Sequence, residues 1–230
     1  MCGRYSLTSP VEAMAQLFGF PDRPNLAPRY NIAPTQQAPV VRLRGTGREL
    51  ALLRWGLVPH WAKDPSIAAR LINARAETVA EKPSFRDAFR RRRCLVPADG
   101  YYEWQKLAGA RQPWRMVLAG GETQSRPFAF AGLWERWAGP DGAALETFTI
   151  LTTEANTATR DIHPRMPVVL EPDAHALWLE PTADRRALEA VLKPYPSAAM
   201  TAYKVGRRVG NVRHDDAGLI APLPETGPLI

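Results

Sequence analysis

Four short stretches of this 230-residue sequence carry groups able to do covalent or acid–base chemistry. The first is Met1-Cys2-Gly3-Arg4, because removal of Met1 leaves Cys2 presenting an α-amine and a thiol on neighbouring carbons. Such a 1,2-aminothiol condenses with an aldehyde to a Schiff base, and the thiol then closes on that carbon to give a five-membered thiazolidine. An α-amine titrates at about 7.7–8.0, so an appreciable share is neutral and nucleophilic near pH 7. Positive charge nearby activates a thiol, and Arg4 is the candidate for that role. A cysteine after an initiator methionine also arises by chance, so this stretch gains weight only from the others.

The second stretch is Leu71-Ile72-Asn73-Ala74-Arg75-Ala76-Glu77-Thr78. Asn73 is suited to orient a carbonyl or hydroxyl, and Arg75 to hold a phosphate with its planar fork. A polar loop capping a short helix has the same letters. In the third, Ala98-Asp99-Gly100-Tyr101-Tyr102-Glu103-Trp104, Glu103 sits among aromatics. Desolvation there raises a carboxyl pKa and makes a proton shuttle, whereas a glutamate on the wet face of a strand does neither. The fourth, Asp161-Ile162-His163-Pro164-Arg165-Met166-Pro167, holds His163 in a proline-stiffened loop, as befits a general acid or base. A lone histidine is more often a surface or packing residue. Beside these, Trp61 in Trp55–Lys63 is placed among basic residues, either to stack on a base or to finish a core.

Composition bounds the setting for this chemistry. With 45% hydrophobic and 23% charged residues the chain is an ordinary soluble globular protein. No apolar run is long enough to span a bilayer, and the first residues lack the layout of a secretory signal, so a cytoplasmic location is expected. Two cysteines and four histidines without ligand spacing indicate no disulfide framework, no metal and no organic cofactor; Cys94 is expected in the core. The net charge of +7 favours a polyanionic partner, nucleic acid ahead of a membrane surface. The four consecutive arginines Arg90–Arg93 are either a nucleic-acid patch, a targeting signal or a solvated helix end.

The elements that must position these groups are short. Ser9-Pro10-Val11-Glu12 predicts a capped helix with Val11, Met14, Ala15 and Phe18 on one face and Gly19 as its stop. Ser84–Asp87 predicts a second helix, and 173–179 and 183–192 two more. Strands are predicted over 38–43, 50–55, 94–97, 101–106, 114–118, 128–134, 148–152 and 200–205. The 22 scattered prolines suit many short strands joined by rigid turns. The class is therefore α+β, a single domain over 1–230 with 214–230 as a C-terminal tail.

Taken together, the sequence resembles the SRAP (SOS-response-associated peptidase) family. The matching stretches are Met1–Tyr5, Tyr30–Pro34, Trp55–Pro59, Leu71–Glu77, Ala98–Trp104, Asp161–Pro167 and Val209–Val212, in the family's order and over nearly the whole chain. Ala62 departs from members that carry a second tryptophan after the one at Trp61, and Pro164 from those with an acidic or amide residue there. The resemblance implies strands curled into an open, barrel-like sheet flanked by helices. It implies a protein that removes its own Met1 and traps ring-opened abasic deoxyribose in single-stranded DNA on Cys2; a monomer is expected. It carries over roles to Asn73 (engaging the abasic site), Glu103 (amine chemistry and proton transfer) and His163 (sugar ring opening and crosslink release). DNA contacts carry over to Arg4, Pro34, Trp61, Arg75, Thr152 and Arg165. Two other readings stand beside it: a thiol peptidase acting on other peptides with Cys2 as nucleophile, and a non-covalent reader of single-stranded or modified DNA.

Overall fold

Apolar residues alternate or run continuously along the predicted strands, and in the computed structural model these form two sheets. Residues 2–120, 126–140 and 142–224 are described. Met1, whose removal the sequence predicts, and 225–230 of the predicted tail lie outside them.

The larger sheet curls into a barrel. β3 (Gln37–Arg44) and β4 (Gly47–Trp55) form a hairpin whose turn holds Gly45 at φ 61°, a left-handed conformation that costs glycine little. β3 pairs antiparallel with β6 (Arg93–Ala98), β6 with β9 (Phe128–Ala138), and β9 with β10 (Ala144–Glu154). The ring of five closes where β10 meets β4 in parallel, Thr147 opposite Arg54 and Phe148 opposite Trp55. The curled sheet is as predicted, with the β9–β10 and β10–β4 pairings removing the edges an open sheet would have left. β5 (Asn73–Arg75), β11 (Arg165–Pro167) and β12 (Val169–Leu170) attach to its margins.

The second sheet has the order β13 (Met200–Lys204), β8 (Ala110–Leu118), β7 (Gly100–Leu107), β1 (Tyr5–Leu7) and β2 (Arg29–Ile32). Tyr5 of β1 joins it to the barrel. Its ring meets Trp55 at 5.2 Å and Phe130 at 5.8 Å, both edge-on, the arrangement that aromatic quadrupoles prefer. β1, β2, β5, β11 and β12 were absent from the sequence prediction. Most have two or three residues, too few for a period to show, and exist because neighbouring strands supply their partners.

The four helices α1 (Val11–Phe18), α2 (Arg86–Arg91), α3 (Ala174–Leu179) and α4 (Arg185–Ala190) lie within or near the predicted spans. α1 buries Met14, Ala15 and Phe18 and stops at left-handed Gly19, whose N–H donates to the Ala15 carbonyl. Its start differs from prediction. Ser9 does not cap; its N–H donates to Asp99 Oδ2 at 3.0 Å, and its hydroxyl reaches the same oxygen at 3.4 Å. A buried carboxylate outcompetes the helix end for these donors. The Ser84 side chain likewise gives α2 no cap.

Asp99 is fully buried and collects donors from β1, the turn that follows it and β8. Ser6 Oγ and Thr8 Oγ1 donate at 2.7 Å, and the Arg115 guanidinium at 3.2 Å. Arg115 also donates to Tyr203 Oη at 2.7 Å, which in turn donates to the Ile220 carbonyl at 3.1 Å. Gly100 makes room for this: a Cβ there would lie 2.6 Å from Arg115 Nε. Residues 214–224 are held down by related bonds. Asp215 accepts from Arg29 Nε at 2.5 Å and Asn31 N–H at 3.0 Å, and Leu219 is buried.

Breaking a buried, hydrogen-bonded ion pair strands its partner charge. Asp99→Ala is therefore expected to lower unfolding free energy by about 3–5 kcal/mol, read as a drop in the urea midpoint. Asp99→Asn, which keeps the shape and one of the two acceptor oxygens, is expected to lose less.

Candidate active site where the two sheets meet

Cys2 lies just before β1 and is completely buried in the main hydrophobic cluster. Its Sγ faces the Arg4 carbonyl oxygen at 3.9 Å. Burial, and next the negative charge of Glu103, push the thiol pKa well up, so near neutral pH the sulfur is a thiol and not a thiolate. The predicted activation by the Arg4 guanidinium is not what the fold provides. That group turns to Asn31 Oδ1 at 2.9 Å and the carbonyls of Val209 and Gly210 at 2.6 and 3.2 Å. Five fixed donors are best satisfied by several acceptors at once, and the C-terminal turn offers them.

Glu103 stands on β7, two residues beyond the Tyr101 that pairs with Tyr5. Only 4% of its surface is exposed, so the dry reading of the aromatic motif holds over the wet one. Desolvation raises its pKa, against opposing charges that include His163. His163 comes from the other sheet, on the loop between β10 and β11, with Nδ1 4.0 Å from Glu103 Oε1. Nδ1 also lies 3.1 Å from both the N–H and the carbonyl oxygen of Arg165. An unprotonated Nδ1 accepts from that N–H, and a protonated one donates to that carbonyl, so both states have a partner. The loop is clamped: Ala155 N–H donates to the Pro164 carbonyl at 3.0 Å, and Gln105 of β7 donates to the Asp161 carbonyl at 3.2 Å.

Asn73 opens β5, opposite Ile150 of β10. Its amide donates weakly to the Ile150 carbonyl at 3.4 Å. Its buried Oδ1 has no hydrogen-bond partner among the described residues, leaving an acceptor in reserve for a ligand. Two residues on, Arg75 is exposed at the strand's end. Beside it, Arg165 grips Glu77 with both terminal nitrogens, at 2.6 and 2.9 Å, and donates to the Thr152 carbonyl at 2.6 Å. Arg75, Thr152 and Arg165 are thus neighbours. Thr152 itself is fully buried and offers no surface to a strand; it serves by holding Arg165. Pro34 is half-buried after β2, and Trp61 is 50% exposed, with Nε1 3.3 Å from the Pro83 carbonyl. Trp61 therefore finishes no core.

Glu77 and Asp99 were not singled out from sequence, although both sit inside the stretches that were. An acidic residue two positions from Arg75 was the available signal for Glu77; nothing in one dimension pointed to Arg165 as its partner, 88 residues away.

Among the described residues, no helix is long and apolar enough to cross a membrane. The sequence model of the SOS response associated peptidase (SRAP) family matches residues 1–212. Among curated proteins, the chain is 41% identical to the abasic site processing protein YoqW of Bacillus subtilis, over 96% of this chain and 99% of that one. It is 31% identical to the abasic site processing protein HMCES of Mus musculus, covering 96% and 76% respectively. Among solved structures, a Bacteroides thetaiotaomicron protein superposes with TM-score 0.87 at 26% identity, over 96% of this chain and all of that one. A Bordetella bronchiseptica protein does so with TM-score 0.75 at 29% identity, covering 89% and 100%.

Burying Glu103 has a measurable cost. A carboxyl whose folded pKa is raised stabilises the fold fully below its unfolded value and progressively less as pH rises through the folded value. Glu103→Gln removes that decline. Calorimetry is expected to show the variant melting above the parent at pH 8, by roughly 2–4 °C per kcal/mol gained, with the gap closing toward about pH 4.

Proposed function

The chain belongs to the SOS response associated peptidase (SRAP) family, and from that premise we propose that it processes abasic sites in single-stranded DNA by linking them covalently to Cys2. The observation that carries this reading is the convergence of three groups. Cys2 is buried within the electrostatic reach of Glu103, and Glu103 lies 4.0 Å from His163 on the opposite sheet. The relatives' names, which speak of abasic site processing, support the substrate.

The steps follow from the chemistry of the groups. Water cleaves the Met1–Cys2 bond, releasing Met1 and freeing the Cys2 amine. Abasic deoxyribose is mostly a closed hemiacetal, and His163, able to hold or release a proton at Nδ1, opens it to the aldehyde. Glu103 takes a proton from the ammonium, and its raised pKa brings it closer to that task than an exposed carboxylate. The amine adds to the aldehyde and water leaves. The sulfur then bonds to the same carbon while its proton passes to nitrogen, closing the thiazolidine. The amine condenses first, and the sulfur closes the ring on the carbon so activated. Asn73 Oδ1 accepts from a sugar hydroxyl, and Arg75 holds a flanking phosphate. Ring closure also consumes the Schiff base through which β-elimination would cut the strand.

A peptidase acting on other chains is less well served, since its attack needs a thiolate and burial holds the Cys2 sulfur as a thiol, whereas the linkage begins at the amine.

The test incubates the protein with a single-stranded oligonucleotide holding one abasic site and resolves the product on a denaturing gel. A heat-stable shifted band is expected from the parent and none from Cys2→Ala, while mass spectrometry shows Met1 gone from the parent. His163→Ala is expected to slow linkage by about 10²-fold or more, the usual weight of general acid–base help. Absence of the band from a protein lacking Met1 sinks the reading.

A further inference from the structure

The arginine run 90–93 divides. Arg93 is buried and donates to the carbonyls of Phe89, Arg90, Trp178 and Glu180, closing the end of α2 against α3. Arg92 pairs with Glu135 at 2.8 Å. Arg90 and Arg91 point the other way, with Arg86 one turn earlier; all three are exposed, and among the described residues their guanidinium groups have no hydrogen bond or ion pair. They line a cleft of about 750 Å3 between α2 and the start of α4, where Arg185 forms the far wall and Asp87 is the one carboxylate. Past Arg91 a second hollow of about 390 Å3 continues the trough to His60 and Arg136, with Glu135 in its wall already paired with Arg92.

A short, tightly turned segment of chain joins this trough to the candidate site. The backbone leaving Asn73 and Arg75 turns tightly, with Glu81 and Lys82 N–H donating to the Thr78 carbonyl and Arg86 N–H to the Lys82 carbonyl. Exposed Trp61 meets the same segment through Pro83, three residues before Arg86. Unpaired guanidinium groups in a concave wall repel one another, and their field is focused outward. Their planar forks match the oxygens of phosphate. Phe89, the one aromatic of the first cleft, is buried, and Trp134 in the second hollow is half-buried with the Arg42 guanidinium 4.2 Å over its ring, so neither offers an open platform on which a base stacks.

We infer that this arginine cleft is a second DNA contact, holding backbone phosphates of the strand beyond the abasic site without reading its bases. The inference rests on the DNA reading above, yet it is separable from the covalent chemistry. The decisive experiment compares the parent with the triple variant Arg86→Gln, Arg90→Gln, Arg91→Gln, after checking that both melt alike. Anisotropy is measured on intact single-stranded oligonucleotides of increasing length across a range of salt. Longer strands are expected to bind the parent more tightly and the variant little more than short ones. On the longest strand the variant is expected to bind at least tenfold more weakly, with a log–log salt slope shallower by about 2, as three lost single-strand phosphate contacts require. Linkage to a short abasic oligonucleotide is expected to be equal in both proteins. A variant with the parent's affinity and slope on every length overturns the inference. So does a variant that has lost only binding of inorganic tripolyphosphate, which would make the cleft a free-anion site. Failure of both proteins to link abasic DNA would sink the covalent reading, and the length series on intact DNA would still decide the cleft.

Discussion

The buried pair of Asp99 and Arg115 is the constraint on which the arrangement turns. β1 has three residues and makes few bonds of its own, yet it must carry Cys2 to the right place. Asp99 holds Ser6 at the middle of that strand and Thr8 just past its end, and Arg115 ties the carboxylate to β8 and β13. Two charges inside a protein are not cheap, and an apolar pair of equal volume would often be as stable. Directional bonds do something an apolar pair does not: they fix register. A slip of one residue would turn Tyr5 out of the barrel aromatics and carry Cys2 from Glu103.

With β1 fixed, the site becomes an encounter between sheets. Glu103 belongs to one and His163 to the other, and Asn73 sits on a strand that exists only because β10 offers its edge. Each of these groups is held in a state that does not favour stability alone. Glu103 is a desolvated carboxyl, Cys2 a buried thiol beside it, and Asn73 keeps an unpartnered buried oxygen. Strain of this kind gathers where a ligand is meant to relieve it.

The basic residues show how little net charge says by itself. Of those considered for nucleic acid, Arg4 and Arg93 are spent on carbonyls and Arg165 on Glu77, while Arg75, Arg86, Arg90 and Arg91 are left to solvent. The +7 balance is therefore concentrated by folding. Arginines that close helix ends or hold the C-terminal turn contribute packing, and Arg86, Arg90 and Arg91 face outward along α2.

The longer strands, the four helices and the α+β class were legible from periodicity, caps and glycine stops, because those are local signals. The four reactive stretches were legible too, since residue type sets what chemistry a group can do. Four things were not: the partner of Asp99, the turning of Arg4 away from the thiol, the dryness of Glu103 and the splitting of the arginine run. Each depends on a residue at least 16 positions away, such as Arg115, Val209, His163 or Glu135. The sequence by itself determined which chemistries were available and which of the longer segments would be strand or helix. Only the tertiary structure decided which charges are satisfied and which remain free, because desolvation and hydrogen bonding are properties of neighbours in space.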